Sequence, residues 1–561
     1  MRVDPGHRVM ERRTFLGVIA GGLLSAPLAA EERAPSIAGI FRLGVHPNGL
    51  KAIRWLALWV GFFAASLLLY SETLNAYFLS DDFDLIGLAI TSGFYSGWSG
   101  FVRPVIALSY LVDASLWRLD PTGYHVTNVA LHALNTTLVV VLALRLTGGM
   151  TAGLMAGFVF LVLRCHSESV SWISGRPDLI ATSFMLLSLI LHLRAEEIDA
   201  RRTRVLALIA FALALLSKES AVVLPAVVVF LTWLKIRQAH RAVVAAVPFL
   251  AVLVLYAGVR VLVLGQVIRG ADTEAYLGFQ VSDLVYHLLS AVVRVLGPLP
   301  DRISNRCCYL SVPRALLAVV LTLVLIPLMR RWPERARTIL LLGACFLVSM
   351  PLLGLAGVSV GGGDRFLYMP SVFFSIALGW LQLWRQRMAR LTSTIVVLGF
   401  VAYSAVDLWS ANAIWRDAGR LSRALTWEVR RVASDHGEVV VANLPAEYRG
   451  AQVLRNGISE AVTRFGPGLP RGSISLVSTH VIFSLGEAPV IRRDSRLSWT
   501  LIPPHPLLFD STQTGSVKIR ERSSHRVTFE VPPSAEEPVV LYYAAGAMHA
   551  ADTTVDSGRQ E

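Results

Sequence analysis

Three carboxylates follow the first long apolar run of the chain, in the stretch YFLSDDFDLIG that begins at Tyr77. They are Asp81, Asp82 and Asp84, in a sequence of which only 16% of the residues are charged. A carboxylate at the mouth of a membrane helix can act as a general base and take the proton of an attacking hydroxyl group. The same acids favour a second interpretation, in which they cap a short helix and are stabilised by its dipole.

Further polar residues recur in short motifs at the ends of other apolar runs. Such residues are costly in a membrane and are generally retained for a site or a partner. The motifs are FVRPVIALSY with Arg103, GYHVTNVALHALN with His125, Asn128 and His132, CHSESVSWISGRPDL with His166, Glu168, Arg176 and Asp178, LLSKESAVVLP with Lys218 and Glu219, and GGGDRFLYMPS with Asp364, Arg365 and Tyr368. We predict that these motifs line one cavity.

Three cations of this set, Arg176, Lys218 and Arg365, have the chemistry to bind a phosphate group. An arginine offers a planar fork that matches phosphate oxygens, and a lysine offers a point charge. The alternative is that each cation pairs with an acid close to it in sequence and anchors a loop. Those pairs are Arg176–Asp178, Lys218–Glu219 and Arg365–Asp364.

Histidines in the same motifs are potential metal ligands. His125, and His166 with Glu168, are ligand types that divalent cations accept, but their spacing is not diagnostic of a site. We therefore predict no cofactor and no metal ligands, and leave a divalent metal open. Arg103 and Tyr368 also have plain alternatives, since arginine snorkels at a span entrance and tyrosine joins the aromatic belt.

The elements that must position these residues are membrane helices. Of the 561 residues 54% are hydrophobic, and the mean hydropathy is +0.56. Apolar windows predict about eleven transmembrane helices. The windows lie near Ile53–Tyr70, Val126–Leu146, Ala152–Leu163, Leu179–Leu193, Val205–Leu216, Ala221–Leu234, Val243–Leu264, Ala315–Met329, Ile339–Leu355, Ser371–Trp384 and Leu391–Trp409.

Basic residues mark one side of the membrane. If the spans alternate, four loops rich in arginine and lysine fall on one side, which the positive-inside rule makes the cytoplasm. These loops lie at 194–204, 235–241, 330–337 and 385–390. The first span then runs outward and delivers Asp81 and Asp82 to the extracytoplasmic face. The excess of Lys and Arg over Asp and Glu, 52 against 39, therefore reports orientation and indicates no nucleic-acid partner.

The chain divides into three predicted regions. Residues 1–50 contain ERRTFLGVIAGGLLSAPLAAEE, which resembles the twin-arginine leader of periplasmic substrate-binding proteins of ABC importers. A cleaved leader would reverse the predicted orientation, so we interpret this region as a fused or misassigned start, or an untranslocated tail. Residues 51–428 form the transmembrane domain. Residues 429–561, with short β-branched runs between Gly, Pro and Ser, form a small β-rich or α+β extracytoplasmic domain.

The motifs, taken in order, resemble a known family. DD, RP, YHVTNVALHALN, HSESVSWISGRPDL, SKES, DRFLYMPS and NAIWRDAGRLSRAL are similar to the membrane half of the transmembrane-and-tetratricopeptide O-mannosyltransferases and their bacterial relatives, in the GT-C superfamily. The resemblance covers about Ile53 to Leu425 and depends on seven motifs in one order. It implies an inverting transfer of a sugar from a polyprenyl-phosphate-linked donor to a hydroxyl of a protein, glycan or lipid acceptor outside the membrane.

The resemblance also implies roles for individual residues. Such a transfer needs a base for the acceptor hydroxyl and cations for the departing phosphate. The family order favours Asp81 as the base with Asp82 in support, and leaves Asp84 as a helix-start acid. The donor phosphate would contact Arg176, Lys218 and Arg365, and the rest of the cavity would contain Arg103, His125, Asn128, His166, Glu168, Asp178, Glu219 and Tyr368.

Two departures from the family pattern leave alternatives open. Leu163 and Arg164 stand where the family usually has a His-Pro pair, and the β-rich region stands where its eukaryotic members continue into tetratricopeptide repeats. The alternatives are a transporter or lipid-handling protein, and a binding protein that keeps the GT-C fold without activity. The predicted location is the bacterial inner membrane, with the active site and C-terminal domain on the periplasmic side.

Overall fold

The computed structural model describes most of the chain. The described residues are 50–92, 97–98, 101–198, 200–265, 294–295, 333–350, 363–383, 386–466, 473–482, 484–504, 507–508, 517–531 and 538–551. The chain divides into two compact units, residues 1–54 and 55–561, and of the first unit the description includes the start of one helix at Leu50. The leader-like stretch and the predicted span Ala315–Met329 lie outside the described residues.

Helices predominate in the described residues from Leu50 to Asp435, and proline is the first residue of four of them because its missing N–H costs nothing at a helix start. The helices are α1 (Leu50–Leu69), α2 (Asp81–Ser92), α3 (Pro104–Trp117), α4 (Pro121–Thr147), α5 (Met150–Val162), α6 (Ser167–Ser171), α7 (Arg176–Ile198), α8 (Arg201–Leu215), α9 (Leu224–Ile236), α10 (Ala239–Leu264), α11 (Pro333–Val348), α12 (Pro370–Trp380) and α13 (Arg387–Asp435). Short 3₁₀ turns lie at Arg164–His166, Ile173–Gly175, Glu219–Val223, Asp364–Leu367 and Leu381–Leu383, and strands β1 (Gly97–Trp98) and β2 (Phe101–Val102) form a small hairpin.

Five segments within the described part of the chain are long and apolar enough to cross a membrane. They are Pro121–Thr147, Ile173–Ile198, Glu219–Ile236, Ala239–Leu264 and Arg387–Asp435. A sixth is added if α5 and the bent segment after it count as one span. A multi-pass helical protein is thus confirmed. The number of eleven spans stays a prediction, because several predicted windows fall on shorter apolar helices or outside the described residues.

The helix pair α5 and Arg164–Ser171 bends by 60°. The bend falls at Leu163, whose φ of −63° and ψ of 126° are extended rather than helical. The segment after the bend carries the HSES motif, and His166 and Glu168 are both buried there. The bend thus turns this motif into the bundle.

Basic side chains gather at one end of the helix bundle, here called the basic end. There Lys235 donates to the backbone carbonyl of Arg145 at 2.8 Å, and both cations pair with Glu197. Arg337, near the start of α11, lies over the ring of Trp233. The polar motifs occupy the opposite termini of the same helices, here called the polar end. This separation agrees with alternating spans, and the side that each end faces stays a prediction of the positive-inside rule.

Helix α13 connects the bundle to the C-terminal part of the chain. Its 49 residues extend over about 70 Å, roughly twice the thickness of a bilayer core. Its last turns bury Leu425, Val429 and Ala433 in one core with Val439 and Val441 of the first C-terminal strand. The predicted boundary at 428/429 therefore lies inside a continuous helix.

The C-terminal part contains the predicted β-rich region. Its elements are β3 (Glu438–Val441), β4 (Leu444–Tyr448), β5 (Ala451–Gln452), α14 (Ile458–Arg464), β6 (Ser473–Leu476), β7 (Thr479–Ile482), β8 (Val490–Arg493), β9 (Ser498–Ile502), β10 (Leu507–Leu508), β11 (Lys518–Ser523), β12 (Arg526–Glu530), β13 (Val539–Ala544) and β14 (Ala547–Ala550). They form sheets of order β10-β7-β4-β5, β11-β12-β9-β8 and β14-β13-β3-β6. Strands β13, β3 and β6 run parallel, as do β4 and β7, and the other paired strands are antiparallel.

The C-terminal part packs directly against the acidic stretch that opens α2. The ring of Phe465 lies 5.0 Å from those of Phe78 and Phe83, edge to face in both cases. Leu454 and Ile458 are buried in the same core. The residues from Tyr77 to Asp84 are consequently held between the helix bundle and the C-terminal part.

Candidate functional site

Asp82 is a buried anchor within the acidic stretch. Its side chain accepts the backbone N–H groups of Leu79 at 2.9 Å and Ser174 at 2.8 Å, and the hydroxyl of Ser174 as well. Burial raises the pKa of Asp82 to about 7, although these hydrogen bonds oppose that shift. The carboxyl group thereby ties the start of α2 to the 3₁₀ turn that precedes α7.

Asp81 has a different environment, although it is the preceding residue. Its side chain is half-buried, and its Oδ1 accepts a hydrogen bond of 2.5 Å from Nδ2 of Asn456 in the C-terminal part. Asp84, also half-buried, completes the acidic first turn of α2. The helix-capping interpretation thus describes Asp82 well, whereas Asp81 keeps the accessible surface that a base requires.

Arg176 is the largest fully buried side chain in the described part of the chain. Its Nε donates to Oδ1 of Asn128 at 2.8 Å, and its two other nitrogens donate to the hydroxyl of Ser109 and the carbonyl of Tyr124, each at 3.1 Å. Its Nη2 also lies 2.6 Å from a carboxylate oxygen of Asp113. Every nitrogen of the guanidinium thus has a partner within the protein.

The alternative ion pair of Arg176 with Asp178 is therefore corrected. Its ionic partner is Asp113 rather than Asp178, because the side chain reaches toward α3 instead of along its own helix. The guanidinium has no exposed surface, and its role as a phosphate ligand stays a prediction. Asn128 takes part in the same arrangement, since it also donates to the carbonyls of Val170 and Trp172.

Lys218 pairs with Asp178 rather than with its neighbour Glu219. Its Nζ lies 2.5 Å from Oδ1 of Asp178, and each side chain is 9% exposed. The ammonium also lies 5.2 Å from the ring centre of Phe366. The pair joins the start of α7 to the turn that precedes α9.

Glu219 joins two cations from other helices. Arg103, at the start of α3, places Nη2 2.6 Å and Nε 3.2 Å from one carboxylate oxygen. Arg260 of α10 places Nη1 3.3 Å from the other oxygen. The side chain of Arg103 remains 23% exposed, whereas that of Arg260 is 6% exposed.

Arg365 has the most exposed side chain of the three predicted phosphate ligands. Its Nη1 lies 2.8 Å from Oε1 of Glu168, and its backbone N–H donates to the other oxygen at 3.0 Å. The guanidinium lies 5.1 Å from the ring centres of Trp172 and Phe366, and 28% of the side chain is exposed. The predicted pair with Asp364 is wrong.

Asp364 instead pairs with Arg294 at 2.5 Å. Adjacent residues in a 3₁₀ turn point in different directions, so two neighbours of opposite charge find separate partners. Lys218 has an extended backbone, with a φ of −159° and a ψ of 138°, directly before the turn Glu219–Val223, so its side chain and that of Glu219 also point apart.

A small cavity lies beside Arg365 and the Lys218–Asp178 pair. Its walls combine charged and hydroxyl groups with apolar side chains. The lining residues are Asp178, Ala181, Thr182, Met185, Ser220, Ser349, Arg365, Phe366 and Met369. Arg365 and Asp178, the partner of Lys218, thus line the same cavity.

The histidines are buried and hydrogen-bonded. Nε2 of His125 lies 3.1 Å from the carbonyl of Ala76, and Nε2 of His166 lies 2.8 Å from the hydroxyl of Ser371. The hydroxyl of Tyr368 lies 2.8 Å from Nδ1 of His132. Within the part of the chain that the structure describes, no group of three or more His, Cys, Asp and Glu side chains could hold a metal ion.

Three participants at the polar end were not predicted from the sequence. Arg260 lies inside the predicted window Val243–Leu264, where a charged residue in an apolar run was a usable signal. Asp113 gave a similar signal in the motif-rich stretch after Arg103. Asn456 gave none, because the Asn-Gly pair at 456–457 is typical of an ordinary turn.

Known proteins resemble part of this chain. Protein O-mannosyl-transferase Tmtc1 of Drosophila melanogaster is 31% identical over 185 residues, which is 30% of this chain and 22% of that protein. Protein O-mannosyl-transferase TMTC2 of Homo sapiens is 32% identical over 152 residues, which is 23% of this chain and 18% of that protein. The resemblance to O-mannosyltransferases is confirmed. The chain matches about a fifth of the length of these curated relatives.

The chain also aligns with solved structures. ArnT from Cupriavidus metallidurans in the apo state aligns with a TM-score of 0.44 and 13% identity, over 85% of this chain and 98% of that one. No protein-family model matches the chain.

Proposed function

We propose that this chain is a membrane glycosyltransferase that transfers a sugar, with inversion, from a polyprenyl-phosphate-linked donor to an acceptor hydroxyl. The observation that carries the proposal is the arrangement of the polar end. A half-buried carboxylate, Asp81, opens α2 there, and partly exposed arginines, Arg103 and Arg365, lie on the neighbouring elements. The names of the relatives support mannose as the first sugar to test.

Asp81 is the base in this proposal. The acceptor oxygen attacks the anomeric carbon, its proton passes to Asp81, and the bond from the anomeric carbon to the phosphate oxygen breaks. The electron pair of that bond leaves with the polyprenyl phosphate. Asp82 supports this step by holding the start of α2, since its two oxygens are already occupied by Leu79 and Ser174.

Arg365 and Arg103 stabilise the departing phosphate in this proposal, with Lys218 behind them. Preorganised cations lower the barrier when they are fixed where negative charge develops. Glu168 and the rings of Trp172 and Phe366 hold the Arg365 guanidinium in one plane, so little orientation is lost when it meets a phosphate.

The proposed reaction takes place on the extracytoplasmic side of a bacterial inner membrane. The positive-inside rule supports this side, because the basic end carries the loops rich in arginine and lysine. The partners are the lipid-linked donor, the surrounding membrane lipid, and an acceptor that is a protein, a glycan or a lipid. The membrane domain at 51–428 and the C-terminal domain at 429–561 both reach the site in this proposal.

The test compares two carboxylates of one helical turn. Purified Asp81→Asn and Asp84→Asn proteins are given undecaprenyl-phosphate [¹⁴C]mannose and membranes from a strain that lacks the chain, as the source of acceptor. We expect Asp81→Asn to lose at least about 100-fold in transfer rate, within the usual contribution of a general base. Asp84→Asn, which removes the same charge from the same turn, should keep the wild-type rate.

Equal size-exclusion profiles of the two variants exclude a folding defect as the cause. Undiminished transfer by Asp81→Asn would remove Asp81 from the role of base. Binding of undecaprenyl-phosphate mannose by the wild type without any turnover would favour a binding protein that keeps the GT-C fold.

A further inference from the structure

The loop between β5 and α14 covers the start of α2. Nδ2 of Asn456 donates to Oδ1 of Asp81 at 2.5 Å, and Oδ1 of Asn456 accepts a hydrogen bond from the hydroxyl of Ser80. The backbone N–H of Ser80 donates to the carbonyl of Val453 at 2.9 Å. One loop of the C-terminal part thus contacts both the side chain of Asp81 and the backbone just before it.

We propose that Asn456 is a positioning residue for Asp81, so that the C-terminal domain completes the active site. This inference rests on the proposed function, in which Asp81 is the base. Asn456 itself does not touch the reacting atoms. It acts through the orientation of the Asp81 carboxylate.

The amide of Asn456 is oriented by its own partners. The carbonyl oxygen of Asn456 accepts from the hydroxyl of Ser80. Its NH₂ group faces the carboxylate of Asp81, which has no proton to donate when it is ionised. The amide therefore cannot flip without losing both hydrogen bonds. Because Nδ2 occupies Oδ1 of Asp81, the other carboxylate oxygen is left for the acceptor hydroxyl.

The backbone at this junction supports the same arrangement. Ser80 has a φ of +46°, a left-handed conformation that costs a non-glycine residue about 1 kcal/mol or more and persists only where its surroundings impose it. Gly457 has a φ of +76°, and a Cβ there would lie 2.8 Å from the carbonyl oxygen of Ser80. Close approach of the loop to Asp81 thus depends on glycine at 457, directly after Asn456.

The neighbouring Tyr77 offers a matched control. Its hydroxyl donates to the carbonyl of Phe465 at 2.9 Å, so it also links the bundle to the C-terminal part, but it has no contact with the Asp81 side chain among the described hydrogen bonds. Tyr77→Phe and Asn456→Ala each remove one side-chain link across this junction. They differ in whether that link ends on Asp81.

The experiment measures kcat and the apparent KM for undecaprenyl-phosphate [¹⁴C]mannose with the full-length chain. We expect Asn456→Ala to lower kcat by about 10- to 100-fold, as misplacement of a catalytic group does. The apparent KM for the donor should stay within about twofold, because Asn456 does not contact the donor. Tyr77→Phe should change neither constant by more than about twofold.

Asn456→Asp is the second variant, since it keeps the shape of the side chain and is expected to fold if Asn456→Ala does not. It replaces the donor by a second carboxylate beside Asp81, and like charges at that distance oppose each other. We expect its kcat to be lower than that of wild type and not higher than that of Asn456→Ala. A role in packing alone would leave this isosteric variant at the wild-type rate.

The outcomes separate this inference from the proposed function. Loss of transfer in Asp81→Asn together with wild-type kcat in the Asn456 variants overturns the role of Asn456 and leaves the proposed function standing. An equal loss in Tyr77→Phe and Asn456→Ala also overturns it, because the cause is then the junction as a whole. Full activity of Asp81→Asn, or no transfer by the wild type, contradicts the proposed function and this inference with it.

Discussion

Two groups of charged residues share the polar end of the bundle, and they differ in their access to solvent. The sealed cluster consists of Asp82, Arg176 and Asp113, whose side chains are at most 5% exposed. The open cluster consists of Asp81, Arg103 and Arg365. Its two arginines are 23% and 28% exposed, and Asp81 is half-buried.

The difference teaches how neighbouring residues of one type divide two tasks. Asp81 and Asp82 are adjacent, yet successive positions of a helix point about 100° apart. Asp82 points inward and fixes α2 to the turn at Ser174, while Asp81 points toward Asn456. The sealed cluster should therefore determine stability, and the open cluster should determine activity.

Loss of Arg176 is expected to have the largest effect. Arg176→Met leaves the carboxylate of Asp113 buried without its cation, and breaking a buried pair in this way costs about 3–5 kcal/mol. The measurements are the yield of the purified protein and its melting temperature, which is monitored by fluorescence in detergent. The double variant with Asp113→Leu should recover most of the loss, because an apolar pair replaces the ionic one. A stable but inactive Arg176→Met protein would move Arg176 into the open cluster.

The next effect concerns Arg365 of the open cluster. Arg365→Gln is expected to lower kcat/KM for undecaprenyl-phosphate mannose by about 100-fold, since one stabilising donor to a developing charge is lost. Its melting temperature should stay close to that of the wild type, because the site is partly solvated. As a control, Arg420→Gln, at an arginine that is 72% exposed and bonded to Asp417, should leave both quantities unchanged. A collapse of stability in Arg365→Gln would erase the distinction between the clusters.

The third prediction concerns pH and Asp82. Its folded pKa of about 7 lies above the ordinary value of 3.8. Between these values the unfolded chain loses the proton and the folded chain keeps it, so stability falls as pH rises, by roughly 1 kcal/mol per pH unit. Below about pH 4 and above about pH 7 the titration of Asp82 adds nothing further to the pH dependence of stability. Melting curves of the wild type and Asp82→Asn from pH 5 to 8 measure this pH dependence. The same dependence in both proteins would contradict the raised pKa of Asp82.

The smallest effect is expected outside both clusters. Nη1 of Arg164 lies 3.5 Å from Oδ1 of Asp407, with side chains 22% and 12% exposed. A long, partly solvated pair of this kind contributes less than about 1 kcal/mol. Asp407→Asn should therefore change neither the melting temperature appreciably nor the transfer rate. A large loss of transfer would add Asp407 and Arg164 to the open cluster. Arg164 is one of the two residues at which this chain departs from the family pattern.

Much of the fold follows from patterns that are local in sequence. Apolar windows predicted helices such as α4 and α10 because a span must bury an unbroken apolar length. The short helix α2 was predicted only in the capping interpretation, and α3 was not predicted, because the motif around Pro104 drew attention to Arg103 instead. The β-rich region was indicated by alternating runs, but its parallel pairs were not, because strand partners depend on tertiary packing.

The sequence predicted many residues of the candidate site, but it did not predict which residues they contact. Arg103, Lys218 and Arg365 were named from their motifs, and the structure brings all three to the polar end. The alternative partners of Lys218 and Arg365, taken from sequence proximity, were wrong, because adjacent side chains point apart. The complete burial of Arg176 was not predicted either, since burial cannot be judged from the motif alone. Asn456 lies more than 370 positions from Asp81, beyond the reach of any local pattern.

The central claim is transfer of a sugar that depends on Asp81, and mass spectrometry of glycoproteins and envelope glycans tests it for any sugar and any acceptor. A strain that lacks the chain would carry the wild type, Asp81→Asn or Asp84→Asn at equal membrane levels. We predict a sugar modification with the wild type and with Asp84→Asn that is absent with Asp81→Asn and without the chain. The same modification at the wild-type level with Asp81→Asn would contradict the account.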